Sequence, residues 1–275
     1  MFVPNCDKYP FPEDTSHHYL VVKKNDGTVF DENYPYIDNS KKAKRSKWWT
    51  RLLLNIIVFP MANIYLGLRI KNKKNIKKHK EEIDKGMISV SNHIHLWDYI
   101  SVMKAMRKWR YNVIVWAPNI RGENGKMMRD VGGIPIPEND VHATIAFNES
   151  LKNLLDNGGH LHIYPEGSMW EYYTPIRPFK KGAAYFACTY NKPILPMGFS
   201  YRKPSLFRKF ILRQPAALTL TIGEPLYPNV NMSKAEQEID LILRAHKAVC
   251  ELSGIDPSKN IYEPIYSNSK KKAFR

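Results

Sequence analysis

Two short clusters hold most of the residue types that could do chemistry. The first is Ser91-Asn92-His93-Ile94-His95-Leu96-Trp97-Asp98. A histidine and an aspartate five positions apart lie about 140° apart on an ideal helix. They meet only if His93 sits on the turn ahead of a helix whose first turn holds Asp98, where the helix dipole favours a carboxylate. Asp98 can then accept the far N–H of the imidazole, fix its tautomer and stabilise the imidazolium, leaving His93 as a general base for a hydroxyl. The plainer alternative is a satisfied turn histidine beside an ordinary first-turn acid. The second cluster is Ile163-Tyr164-Pro165-Glu166-Gly167-Ser168. Its Pro-Glu-Gly turn is expected to expose a carboxylate and a backbone open to close approach. About a dozen residues on, Lys180 and Lys181 fall at a predicted helix N-terminus, where an anion is favoured.

Both clusters follow apolar runs that read as strands. The strand candidates are 87–91, 112–117, 160–164, 194–201 and 217–223, with helical runs at 96–108, 141–156 and 182–190 between them. Ser233 and Glu236 have the spacing of a capping box, opening a helix that Gly254 stops. This alternation predicts an α/β fold, a mixed and mostly parallel sheet flanked by helices. Functional groups of such sheets gather at strand ends.

Ahead of this region the chain changes character. Residues 1–47 read as a partly extended leader ending in the basic run Lys41 to Lys47, and 48–80 as a membrane-associated helical segment. Its apolar stretch, 48–68, has the length of a membrane span but contains Arg51, Asn55, Pro60 and Asn63. Both flanks are basic, which places both ends on one side of a membrane. The expectation is an interfacial or re-entrant helix pair bent near Pro60, with Trp48 and Trp49 at headgroup level. A buried core helix and a single crossing are the alternatives. Residues 81–260 form the main domain, followed by a basic tail, 261–275.

Composition bounds the function classes. The 275 residues are 43% hydrophobic and 25% charged, which fits a globular core. Lys and Arg number 42 against 26 acids, a formal charge of +16, so a polyanionic partner is expected. Cys6, Cys188 and Cys250 form no CxxC, which argues against a disulfide framework or thiolate zinc site and fits a reducing cytoplasm. No apolar secretory signal opens the chain.

In combination the motifs say more than each does alone. His93-x4-Asp98, then Gly-Ile-Pro-Ile at Gly133, then Pro165-Glu166-Gly167, then Pro193-Ile-Leu-Pro196 closely resemble the glycerolipid acyltransferase family, in the family's order and over positions 89–199. The best known members are the 1-acylglycerol-3-phosphate acyltransferases. The resemblance implies an acyl-CoA or acyl-ACP donor and a lysophospholipid acceptor, with neither cofactor, metal nor covalent acyl-enzyme. It implies His93 as base and Asp98 as its partner. Glu166 and Gly167 would help hold the acceptor and the developing oxyanion, and the Gly133 block would line the acceptor pocket; Ser168, and Lys180 and Lys181 at the predicted helix N-terminus, are further candidate substrate-binding residues. An anionic membrane surface on the cytoplasmic side is the expected setting.

Two departures touch the acceptor. Pro137 and Glu138 stand where the family commonly has a phosphate-binding arginine, and Ser168-Met169 where it commonly has Thr-Arg. Lysine does not reproduce the bidentate geometry of those arginines. Arg129, Arg177, Lys180 or Lys181 could take over, or the acceptor lacks a phosphate there. A non-catalytic adaptor of the same fold is a further reading. The pairs His93-Ile-His95 and His160-Leu-His162 raise a metal site, yet no acid–histidine set completes a shell, so His95, His160 and His162 read as pocket-wall or core residues. A nucleic-acid partner is not expected, because no recognition motif accompanies the charge. Ser168 lies in no Gly-x-Ser-x-Gly elbow.

Overall fold

The apolar runs come together in one seven-stranded sheet. The structure is a computed structural model that describes residues 2–4, 11, 13–19, 22, 25–106, 111–138 and 140–262. Cys6, the end of the 96–108 run and most of the 261–275 tail lie outside them. The strands are β1 (Arg69–Lys71), β2 (Met87–Ser91), β3 (Tyr111–Val115), β4 (Gly133–Pro135), β5 (His160–Ile163), β6 (Ile194–Arg202) and β7 (Ala217–Ile222). Their spatial order is β1-β7-β6-β2-β5-β3-β4. Every neighbouring pair is parallel except β6 with β7, giving the mixed, mostly parallel α/β sheet that the alternation predicts.

All residues of β2 and β5 are buried. Their polar members, Ser89, Ser91, His160 and His162, are buried with the rest, so both faces of these strands are covered. The helix Val141–Asp156 covers the sheet with Ala143, Phe147, Leu151 and Leu155, one residue per turn, and is capped by the Asp140 side chain. The helix Lys234–Leu252 carries the expected capping box and buries Leu241, Ile242, Ala245 and Val249. Cys188 and Cys250 are free thiols.

The N-terminal region differs from its sequence reading. The helical path starts at Lys41 and runs unbroken to Tyr65, as an α-helix Lys41–Leu53, a π-helical turn Leu54–Val58 and an α-helix Phe59–Tyr65. No reversal occurs at Pro60. The π turn just before it, closed by Phe59 N–H to Leu54 O, absorbs the proline's missing donor and ring without breaking the helix. Beyond Leu68 the chain joins the sheet as β1, and Asn75 donates to the carbonyls of Ile222 and Gly223 at 3.1 Å each, so 69–80 belong to the α/β layer rather than to a membrane segment. Among the described residues, no helix is long and apolar enough to cross a membrane.

Candidate active site

Strands β2 and β5 are parallel neighbours, with Val90 opposite Ile163, so the chains leaving their carboxyl ends emerge side by side. This brings together the two clusters, which lie some seventy residues apart in sequence. His93 lies on the loop after β2, and Asp98 is the first residue of the helix Asp98–Ala105. The Asp98 Oδ2 accepts from His93 Nδ1 at 3.2 Å, from Ile94 N–H at 2.8 Å and from His95 N–H at 2.9 Å. The carboxylate thus closes the turn that presents the histidine.

Burial sets the electrostatics. Asp98 is fully buried, and desolvation pushes its carboxyl up to about 7, opposed by His95 and the backbone N–H groups of His95 and Ile94. The His93 imidazole is pushed down to about 3 by burial, so the ring is neutral at pH 7. With Nδ1–H given to Asp98, the lone pair lies on Nε2, at the opposite edge of a side chain that keeps 20% exposure. Tyr164 stacks on the same ring, with centroids 3.9 Å apart and planes 16° apart.

Glu166 does not expose its carboxylate; it is 2% exposed and forms a buried pair with Arg177, whose Nη2 donates to Oε2 at 2.6 Å. The same carboxylate accepts from the backbone N–H groups of His93 and Arg177, each at 3.3 Å. Burial raises the Glu166 carboxyl above its ordinary range, while Arg177 pulls it back. Glu166 therefore ties the β5 loop to the backbone of His93. Ser168 is also buried, its Oγ accepting from Arg177 Nη1 at 2.7 Å. The Gly167 N–H closes the turn onto Tyr164 O at 3.0 Å, so it is already used. Gly167 has φ +83, and a Cβ there would stand 2.7 Å from Lys180 Nζ, so that ammonium lies over the glycine. Lys180 and Lys181 are exposed, Lys181 directly preceding the helix Gly182–Tyr190.

Gly133 is not brought to His93. It begins β4, level with His162 and three strands from β2, roughly 14 Å across the sheet from that strand. There it borders a separate cavity of about 350 Å³ with Tyr36, Lys42, Lys47 and Arg129. Arg129 belongs to that edge, and Arg177 is committed to Glu166, Ser168 and the face of Trp170, 4.4 Å away. Neither arginine faces His93 as an open phosphate ligand.

His160 and His162 are core residues, as the sequence reading allowed, but their partners were not foreseen: they point the same way as Ser89 and Ser91 on the adjoining strand and form a buried polar chain with them. Ser91 O–H donates to Asn92 O at 3.0 Å, so Ser91 Oγ accepts from His162 Nε2 at 3.2 Å. His162 Nδ1 then accepts from Ser89 at 2.7 Å, and Ser89 accepts from His160 Nε2 at 2.7 Å. Burial pushes the His160 ring down to about 3 and lowers His162 well below its ordinary value. Asn92 grips the Phe199 backbone through both its amide atoms, at 2.7 and 3.0 Å. The paired Ser-x-Ser and His-x-His spacings were the available signal. His95 turns away from His93 toward Glu171 and Tyr172. Among the described residues, no three His, Cys, Asp or Glu side chains converge as a metal shell.

The leader reaches this region too. Trp170 Nε1 donates to His17 O at 2.9 Å, Arg177 Nη1 donates to Thr15 O at 3.0 Å, and His18 stacks on Trp116 just beyond β3.

Residues 67–200 match the model of the acyltransferase family. No curated protein matches the chain. Among solved structures it is similar to the crystal structure of the 1-acyl-sn-glycerophosphate (LPA) acyltransferase, PlsC, from Thermotoga maritima. The identity is 20% and the TM-score 0.47, over 79% of this chain and 85% of that one. The segment matched to the acyltransferase family, residues 67–200, carries His93, Asp98 and Glu166 on their adjoining loops.

Proposed function

We propose that this enzyme transfers a fatty acyl group from acyl-CoA or acyl-ACP to the hydroxyl of a lysophospholipid such as 1-acylglycerol-3-phosphate, forming phosphatidic acid or a related lipid. The observation that carries the reading is a neutral His93 whose Nδ1 is held by buried Asp98, 3.2 Å away. The acceptor O–H gives its proton to His93 Nε2 as its oxygen attacks the thioester carbonyl carbon. Asp98 stabilises the imidazolium. When the tetrahedral adduct collapses, the C–S bond breaks and the departing thiolate takes the proton back from Nε2. Lys180, lying over Gly167, supplies positive charge beside the loop, and with Lys181 suits the phosphates of CoA or an acidic carrier protein. The setting is an anionic, cytoplasm-facing membrane surface with the enzyme bound peripherally. The exposed face of the helical segment 41–65, which includes Trp49, Leu53, Ile57, Met61 and Ile64, supports this.

A neutral lipid or glycolipid acceptor is the second reading, favoured by the commitment of Arg177 to Glu166 and Ser168. The test is transfer of labelled palmitoyl from palmitoyl-CoA or palmitoyl-ACP, in lipid micelles, to lysophosphatidic acid, other lysophospholipids and neutral glycolipids. His93-dependent product from lysophosphatidic acid supports the first reading, and product only from a neutral lipid supports the second. No transfer to any acceptor would sink both.

A further inference from the structure

Between β6 and β7 the chain leaves the sheet as Lys203-Pro-Ser-Leu-Phe-Arg-Lys-Phe-Ile-Leu-Arg213. Its short helix, Leu206–Phe210, buries no residue. Leu206 is 76% exposed and Ile211 67%, with Phe207 and Phe210 exposed beside them. Positions 203–213 contain four cations, Lys203, Arg208, Lys209 and Arg213, and no acid. Large apolar side chains displayed together mark an interaction surface. Their basic surround rejects a basic partner, this strongly cationic chain included, and suits an anionic one.

The excursion is fastened to the N-terminal helical segment at one point. Arg208 Nε donates to Ile64 O at 3.2 Å and Arg208 Nη2 to Asn63 O at 3.2 Å. Ile64 is itself exposed. The apolar tip of the 203–213 excursion and the exposed apolar face of the 41–65 segment therefore adjoin, although roughly 140 residues separate them in sequence. Tyr65, at the end of that face, lies 6.4 Å from Trp97 on the His93 loop.

We propose that the 203–213 excursion is a second membrane-inserting element. Leu206, Phe207, Phe210 and Ile211 enter the acyl boundary of an anionic bilayer, and Lys203, Lys209 and Arg213 meet its phosphates. Arg208 locks this element to the helical segment, so the two form one footprint beside the active-site loop. The inference rests on the proposed membrane setting and extends it to a specific second contact.

The test is flotation of the full chain with vesicles of phosphatidylcholine and phosphatidylglycerol, compared with phosphatidylcholine alone. A Phe207→Ser/Phe210→Ser double variant is expected to bind the anionic vesicles up to roughly a hundredfold more weakly, about tenfold per phenylalanine. Its melting temperature should stay unchanged, because both rings are exposed. A Lys209→Glu/Arg213→Glu variant should lose binding at low salt and differ little from wild type at high salt. A Leu53→Ser/Ile57→Ser variant tests the helical segment separately. Wild-type binding retained by both excursion variants overturns the inference and leaves the membrane setting intact. Absence of wild-type binding to either vesicle overturns both. Light scattering that shows a wild-type dimer and a Phe207→Ser/Phe210→Ser monomer identifies the face as a contact between copies and also overturns it.

Discussion

His93 has one nitrogen committed to a buried carboxylate and the other left for substrate, and this division predicts what its loss does. Replacing His93 with Ala should lower kcat/KM by about a hundred- to ten-thousand-fold, the usual worth of a general base. Steady-state transfer assays check this, and near-wild-type activity would remove His93 from the mechanism. Glu166 predicts something different, because Arg177 and two backbone N–H groups occupy its carboxylate. Glu166→Gln leaves a buried guanidinium without its counter-charge, an expected loss of about 3–5 kcal/mol in urea unfolding. Unchanged stability with a raised KM for the acceptor would instead make Glu166 a substrate contact. The relation of His93 to Asp98 was legible because five residues of turn and helix start are local geometry. The partner of Glu166 was not, since the chain between it and Arg177 follows an irregular loop that periodicity does not describe.

Elements position these residues from a distance. Gly86, ahead of β2, has φ +96, and a Cβ there would stand 1.8 Å from Leu155 O, a backbone atom that cannot swing aside. Gly86→Ala should therefore destabilise, by more than the roughly 0.4–1 kcal/mol that the same exchange contributes at an unstrained position. It should lower the urea midpoint and, by shifting β2, lower activity in the protein that remains folded. An unaltered midpoint would show that the turn relaxes freely. The five longer strands were legible because aliphatic and β-branched residues recur along each, as burial over most of their length requires. β1 and β4, three residues each, were not. Arg69-Ile70-Lys71 looks basic and exposed because it is an edge strand. Pro60 suggested a bend because proline usually breaks a helix; the π turn that accommodates it is set by packing, which the residue types alone do not encode.

At the scale of the whole molecule, three neutral histidines, His160 and His162 buried and His93 partly so, respond to acid. His93 and His160 are held near 3 and His162 well below its ordinary value, against about 6.5 in an unfolded chain. For these three groups the unfolded state binds the extra protons, so they cost stability as pH drops below about 6.5, by up to roughly 1.4 kcal/mol per pH unit for each histidine. Asp98 and Glu166, held above their ordinary range, take up protons in the folded state and offset part of that loss. Urea midpoints should decline from pH 7 to pH 5. His160→Gln, less stable at pH 7, should lose less over that interval; an equal loss would show that His160 does not titrate on unfolding. The order of synthesis adds a consequence of another kind. His17 is anchored by Trp170, 153 residues later, and β1 lies beside β7, the last strand made. Chains fold from the amino end as they leave the ribosome, so here the earliest segments wait for the latest ones. A nascent chain that stops before β5 carries His93 and Asp98 but has neither the Glu166 clamp nor the tryptophan that receives the leader, so the His93 loop gains its clamp and the leader its anchor only after more than half of translation is over.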